Sequence, residues 1–496
     1  MKKSAQIHKA LTIFAYTVML TGMTLLLAVV FRYPQNHLIP RQMIPGVGIC
    51  VIVLLAAGAL WNKIYSLIGK RTPLYLLALA IFGVLLYITS LSRQGNENTL
   101  VDYTYVYRDA MNLATGGTLE YTDYFVTYSN NLKPMLLLSV WFRVAVLLGI
   151  SAFHFVLLRN VLLVLLVVWA CGYLTEQNED CRWRFPILLT FAFLLPLWDM
   201  VSVFYTDSMS FGLGILTLAL LKKAGSTKTN KGKILWSVLA GVTTILAIIW
   251  KITAIIPLIA CTMILLWQRE KADRHVILSL VVSVIVFGVG LQLWANTYDV
   301  TRKAAVTANP VISWVALGMK EDGSWTNNTE LVEQMYQFST KEEKQQYCVE
   351  YIRENKADFF NAEHLRKKAS YNFANGNLGA SAFLNVEQND QTLIWEMFSP
   401  WGSYYWRTSQ LCYCYLVSVY VLLWIGMLFS LRNVIRGQNP PSLLMICQLN
   451  FIGIAVFLML WEASSRQLYN QMPGILLGGV LSIDYFWKNL SIKPRK

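Results

Sequence analysis

Residues 91–133 read LSRQGNENTLVDYTYVYRDAMNLATGGTLEYTDYFVTYSNNLK. They fall between two apolar runs, 73–92 and 134–150, and carry Asp102, Asp109, Glu120 and Asp123 among a series of tyrosines. A wet stretch between membrane-length apolar runs lies against a bilayer surface, where recognition or chemistry is performed.

Outward from this stretch the chain is mostly apolar. Its 496 residues are 55% hydrophobic and 14% charged, where a soluble chain carries nearer about 25% charge. Thirteen apolar stretches stand out, at 11–31, 44–62, 73–92, 134–150, 153–174, 185–197, 200–221, 233–249, 252–268, 275–296, 412–431, 442–461 and 467–487. Since roughly 17–25 apolar residues cross a bilayer as a helix, the expected fold is an all-α polytopic membrane protein.

The net charge of +14 would point to nucleic acid in a soluble protein. Here Lys and Arg gather in short loops, so they read as topology signals that also favour anionic lipid, and no nucleic-acid partner is expected. Lys2, Lys3, Lys9, Lys63, Lys70, Arg71, the linker Lys222–Lys233, Arg269–Arg274, Arg432, Arg436 and the tail Lys493, Arg495, Lys496 mark the cytoplasmic side. The N-terminal MKKSAQIHK and its apolar run read as an uncleaved first helix. Loop 93–133 and segment 297–411 are then outside, in a bacterial cytoplasmic membrane.

With both termini inside, the crossings must be even in number. Thirteen stretches therefore include one that does not span, and twelve crossings are expected. The candidates are 185–197, bounded by Pro186 and Pro196, and 134–150, which carries Arg143. Non-spanning backbone must be buried in protein or line a cavity. The chain divides into an N-terminal membrane module, 1–296, an extracytoplasmic subdomain, 297–411, and C-terminal membrane helices, 412–496. In the subdomain KEEKQQYCVEYIRENKADFF reads as an amphipathic helix, and Trp395, Trp401, Tyr404, Tyr405 and Trp406 read as interface aromatics.

The eight cysteines show no disulfide framework or zinc spacing. No nucleotide-binding glycine loop or Ser-His-Asp pattern is present. No cofactor is expected, and nothing in the spacing supports a divalent metal.

Sugar transfer from a lipid phosphate needs a base for the acceptor hydroxyl and cations for the leaving phosphate. Asp102 is the first candidate base and Asp109 the reserve, on one face of an interfacial helix; the competing reading is that both merely solvate that helix. Asp207, after Tyr205 at the outer edge of an apolar helix, is functional or a helix cap. Arg466 runs against the positive-inside bias and reads as a phosphate ligand or the partner of Glu462. Lys251 is a second phosphate candidate or a snorkelling lysine. His364, in AEHLRKK, reads as lying on a solvated face.

Together these residues resemble the GT-C superfamily of polytopic glycosyltransferases, in particular the bacterial integral membrane enzymes related to protein O-mannosyltransferases. Asp102 stands in an Asp-x-x-x-x-Tyr-x-x-Ala pattern within DYTYVYRDA. Tyr124-Phe125 precedes Tyr128-Ser129-Asn130-Asn131, with Ser129 where that group carries proline. Tyr205-Thr206-Asp207 matches the tyrosine-x-aspartate before a membrane helix. Glu462, Arg466, Tyr469 and Pro473 match the closing residues, with Arg466 and Tyr469 separated where the group has them adjacent. NPVISWVALGMKEDGSW is similar to the start of the outer subdomain in that group.

The resemblance implies an inverting transfer from a polyprenyl-phosphate sugar donor to a glycan or other envelope acceptor, without nucleotide. Asp102 would be the base, Arg466 and Lys251 would hold the phosphate, and Asp207, Tyr205, Tyr128, Asn130, Asn131, Glu462 and Tyr469 would position substrate. Two other functions compete. A flippase of lipid-linked sugars would show inverted repeats and broken helices, neither of which the sequence displays. An envelope-polymer ligase or polymerase would work from His364, Arg366 and Lys367.

Overall fold

The computed structural model describes residues 2–68, 71–91, 101–176, 180–268, 273–384 and 392–491. Lys70, Arg269, Lys271, Lys493, Arg495, Lys496 and residues 92–100 of the wet loop lie outside the described residues. All regular elements among the described residues are helical. Among the described residues, eight helices are long and apolar enough to cross a membrane.

The first three are α1 (Lys2–Arg32), α2 (Pro40–Ile68) and α3 (Thr72–Ser90). The wet loop folds into α4 (Val101–Ala114) and α5 (Thr122–Thr127), followed by α6 (Leu132–Leu147) and the long α7 (Ala152–Thr175). A broken passage comes next: α8 (Arg184–Ala192), α9 (Leu195–Met200), α10 (Thr206–Met209) and α11 (Leu213–Ser226). Then α12 (Asn230–Trp250), α13 (Ile256–Gln268) and α14 (Arg274–Ala295) close the N-terminal module.

Basic residues tie helix ends together on one face. Lys222 Nζ donates to the carbonyls of Tyr173, Leu174 and Glu176 at 2.8–3.0 Å. Arg184 pairs with Glu176 at 2.6 Å, and Lys9 reaches the Ile435 carbonyl at 2.7 Å. The ends of α1, α7, α8, α11 and the helix that ends at Ile435 therefore share this basic face. The wet loop and residues 297–404 lie on the opposite one.

This arrangement settles which apolar stretch fails to span. Helix α6 starts beside α5, and Arg143, near its C-terminal end, shares a cavity with Trp294, Thr297 and Tyr298 at the end of α14. A few residues on, in α7, Phe153 touches Phe204 and His154 touches Tyr87, again on the wet face. So α6 lies along that face under α4. The segment 185–197 crosses. Phe185 of α8 packs on Tyr75 at the start of α3, while Ser90, at the other end of α3, donates to the Trp198 carbonyl in α9. Pro196, at the start of α9, lacks the N–H a continuous helix would need, so the crossing is made in two pieces. Counting this broken crossing, the shorter α11 and α13, and the 20-residue final helix with the eight gives twelve.

The outer segment holds α15 (Asp299–Thr307), α16 (Ile312–Leu317), α17 (Thr329–Met335), α18 (Lys341–Glu354), α19 (Lys356–Phe359), α20 (Ala362–Phe373) and α21 (Leu393–Phe398). It has a small core of its own, around Leu317, Leu331, Val332, Met335 and Cys348. Helix α18 starts at a reciprocal cap between Thr340 and Glu343, which satisfies two otherwise orphaned donors. The chain returns through α22 (Tyr405–Ile435), α23 (Ser442–Leu460) and α24 (Met472–Ser491). Helix α22 begins before residue 412, so Tyr405 and Trp406 already belong to it.

Candidate functional site

Four pieces of chain converge on the wet face: the start of α4, the turn 204–207, the break after α12, and the hairpin 461–471. Each is placed by a local feature. Gly212 has φ 63°, and a Cβ there would come within 2.5 Å of Val167. Only glycine allows the reversal that lets α11 start just beyond α10. Lys251 adopts an extended conformation that ends α12 and opens the 3-10 turn Ile252–Ile255.

Buried amides lock these turns to the hairpin. Asn470 Nδ2 donates to Thr253 Oγ1 at 3.0 Å and Ser210 Oγ at 3.4 Å. Gln471 Nε2 donates to the Thr253 carbonyl at 2.6 Å. Buried amide donors that find acceptors in a dry interior favour one arrangement, since any other would strand them.

Asp102 is half-buried and accepts two phenolic hydrogen bonds. Tyr124 donates to Oδ1 at 2.8 Å and Tyr205 to Oδ2 at 3.4 Å. Asn131 braces both phenols, with Nδ2 2.6 Å from the Tyr124 hydroxyl and 3.3 Å from that of Tyr205. The guanidinium of Arg466 lies over the Tyr205 ring, 5.6 Å from its centroid.

Behind Tyr205, Asp207 is buried between two cations. Its Oδ1 is 3.0 Å from Lys251 Nζ and its Oδ2 3.9 Å from Arg466 Nε. Neither oxygen receives a well-aligned hydrogen bond among the described residues, so the cations are its main compensation. Asp207 does not act as a helix cap, for no side-chain bond caps α10. Arg466 makes its ion pair with Asp207, and no pair with Glu462 is present among the described residues. Glu462 belongs to the same field. Burial pushes its carboxyl up to about 6, Arg466 and Lys251 hold it down, and Asp102 and Asp207 add to the rise.

Asp102, Asp207, Tyr205, Asn131, Lys251, Arg466 and Glu462 are thus brought together. Tyr128 stands at the rim, its hydroxyl 2.7 Å from that of Tyr336 in the outer subdomain. Asn130 is exposed and bonds only its neighbour Asn131, at 3.2 Å, among the described residues. Tyr469 is fully buried against Phe211, ring centroids 4.9 Å apart, and forms packing beneath the cluster.

Asp109 does not reach the cluster. It is fully buried and accepts the backbone N–H groups of Glu120 at 2.9 Å and Tyr121 at 3.0 Å. Seven residues along one helix face is about 10 Å, enough to put Asp109 at the far end of α4, where it ties down the returning loop. His364 is buried as well. Its Nδ1 lies 2.9 Å from the Glu321 carbonyl, and burial lowers its pKa, so it is not on a solvated face.

Four residues were missed from sequence. Tyr124 was visible only as part of a dipeptide. Tyr336 and Tyr371 lie on distant segments with no local pattern. Lys368 is completely buried and donates to the Gly318 carbonyl at 2.7 Å. Burial brings its ammonium down to about 7, with Glu462 opposing. Among the described residues no three His, Cys, Asp or Glu side chains converge in a metal-binding group.

A family described as conserved hypothetical integral membrane protein matches residues 42–487, and the chain belongs to that family. No curated protein and no solved structure matches it.

Proposed function

We propose that this chain is a membrane glycosyltransferase moving a sugar from a lipid-phosphate donor to an acceptor hydroxyl. The positive-inside bias puts its cluster on the extracytoplasmic side of the membrane. The observation that carries the reading is the pairing, within one cluster, of an accessible carboxylate, Asp102, with two cations, Arg466 and Lys251. The first is suited to take a proton and the others to hold a phosphate.

In this scheme the acceptor oxygen attacks the anomeric carbon while Asp102 Oδ takes its proton. The bond from that carbon to the phosphate oxygen breaks with inversion, and the phosphate leaves on its lipid. Arg466 and Lys251 stabilise the charge that develops on the leaving oxygen. Asp207 holds the two cations side by side in the resting site, where a phosphate can reach them. The tyrosine hydroxyls keep Asp102 aimed. Asp102→Asn in the full chain, assayed for transfer of a labelled sugar from polyprenyl phosphate in membranes, tests this. Full activity would end the assignment.

One observation favours a second reading. The passage α8–α11 is interrupted at Phe193–Leu194 and again at Gly212, and broken helices are a feature of carriers. A carrier of lipid-linked sugars would move its substrate across vesicles with no change of linkage, and Asp102→Asn would stop that movement.

A further inference from the structure

Beside the ionic cluster, the turn between α1 and α2, the loop 321–327 and the middle of α20 line a second, open cavity of about 490 Å³, within the range of small-molecule sites. Its aromatic surface is Tyr33, over which the Arg366 guanidinium stacks at 4.0 Å from the ring centroid. The Tyr33 backbone is fixed by Ser370, whose hydroxyl donates to its carbonyl at 2.6 Å. Opposite, Asp322 is held by Ser324 and Asn327 at 2.7–2.9 Å. Arg32 borders the cavity, is exposed, and has no carboxylate partner among the described residues.

The wall between this cavity and the cluster is Tyr371. It lines the cavity. It is half-buried, and the next residue, Asn372, accepts the Ser464 N–H at 2.8 Å, two residues before Arg466. The cavity therefore adjoins the hairpin that carries Arg466.

We infer that this cavity is a glycan-binding subsite, and that it seats the hydroxyl-rich acceptor of the transfer. Its walls mix donors, from Arg32 and Asn327, with acceptors, from Glu321 and Asp322, beside Tyr33, whose ring carries Arg366 at 4.0 Å and Arg32 at 5.6 Å from its centroid. The alternating hydroxyls of a sugar are donors and acceptors at once and match that combination. A lipid tail would need apolar walls, and two of the three cations on the wall are already paired, Lys367 with Glu321 and Arg366 with Glu363. That the glycan is the acceptor rests on the glycosyl-transfer reading; that the cavity binds a glycan does not.

The test uses the tagged full-length chain in detergent over an array of immobilised oligosaccharides: neutral, N-acetylated, uronate-bearing and phosphate-bearing. The wild type is expected on neutral or N-acetylated members. Tyr33→Ala should lower the retained signal roughly tenfold, the loss of one good contact. Arg32→Gln, at an exposed position, should lower it as well. No retention, retention only on phosphate-bearing members, or equal retention by both cavity variants would overturn the subsite. If the cavity variants lose glycan while Asp102→Asn still transfers sugar, the subsite stands and the base assignment falls. If Asp102→Asn loses transfer while the cavity variants bind normally, the reverse holds.

Discussion

Asp102 and Arg466 meet across a single phenol. Tyr205 places its hydroxyl 3.4 Å from the carboxylate and its ring 5.6 Å beneath the guanidinium. The front and the end of the chain are thereby held in one site by a residue from its middle. A change at Tyr205 touches both partners at once, whereas changes at Asp102 and Arg466 separate them.

Asp102→Asn should lower transfer by roughly a hundred- to ten-thousand-fold, the usual contribution of a general base. The amide oxygen can still accept a phenolic hydrogen bond, so the melting temperature in detergent should stay near that of the wild type. A labelled-donor assay beside a thermal melt reads both.

Tyr124→Phe removes one donor to Asp102 and leaves Asn131 short of a partner. The expected loss of stability is about 1 kcal/mol, typical of one hydrogen bond. The rate should fall with little change in acceptor KM, since the carboxylate is less firmly aimed. Steady-state kinetics with varied acceptor decide this.

Asp207→Asn strips Lys251 and Arg466 of their shared carboxylate. Removing one member of a buried ionic group costs about 3–5 kcal/mol, and the lower end applies because the cations keep 18% and 23% exposure. A clear fall in melting temperature is expected. An unchanged melt would show that the cations find compensation elsewhere.

Glu462 gives a pH signature. Its folded-state pKa, about 6, lies above the ordinary 4.5, so the folded protein binds this proton more tightly than the unfolded chain does. The resulting stabilisation is complete below about pH 4.5 and is lost as pH rises through about 6. Relative to Glu462→Gln, the wild type should therefore lose stability between pH 4.5 and pH 7. Melts of both proteins across that window check the sign.

Asp109→Ala should act on the fold and spare the chemistry. It frees two backbone N–H groups that have no other partner at the loop, costing roughly 1–3 kcal/mol. The pH dependence of transfer in the surviving protein should match that of the wild type. A displaced profile would mean that Asp109 exchanges protons with substrate after all.

The helical membrane fold was legible because its long apolar runs have no other stable use in water. The convergence of Asp102 with Arg466 was legible only through short motifs, since neither residue carries a local signal of the other. Hydropathy could not tell that 134–150 lies flat. Leu136, Leu138 and Phe142 of α6 are buried while Val140, Val146 and Leu147 are exposed, so apart from Arg143 the helix is apolar on both sides, as a spanning helix is. The breaks around 193–212 escaped for the opposite reason: the apolar content runs on while Pro196 and Gly212 interrupt the backbone. His364 looked solvated because charge in sequence says nothing of the carbonyl that a fold will place against it.

The flat course of α6 fixes what fusion mapping of this chain would find. A reporter enzyme joined at Gly149 would share its compartment with one joined at Gly116, although a membrane-length apolar segment separates them. A topology drawn by counting such segments would invert every loop between that point and the next error of parity.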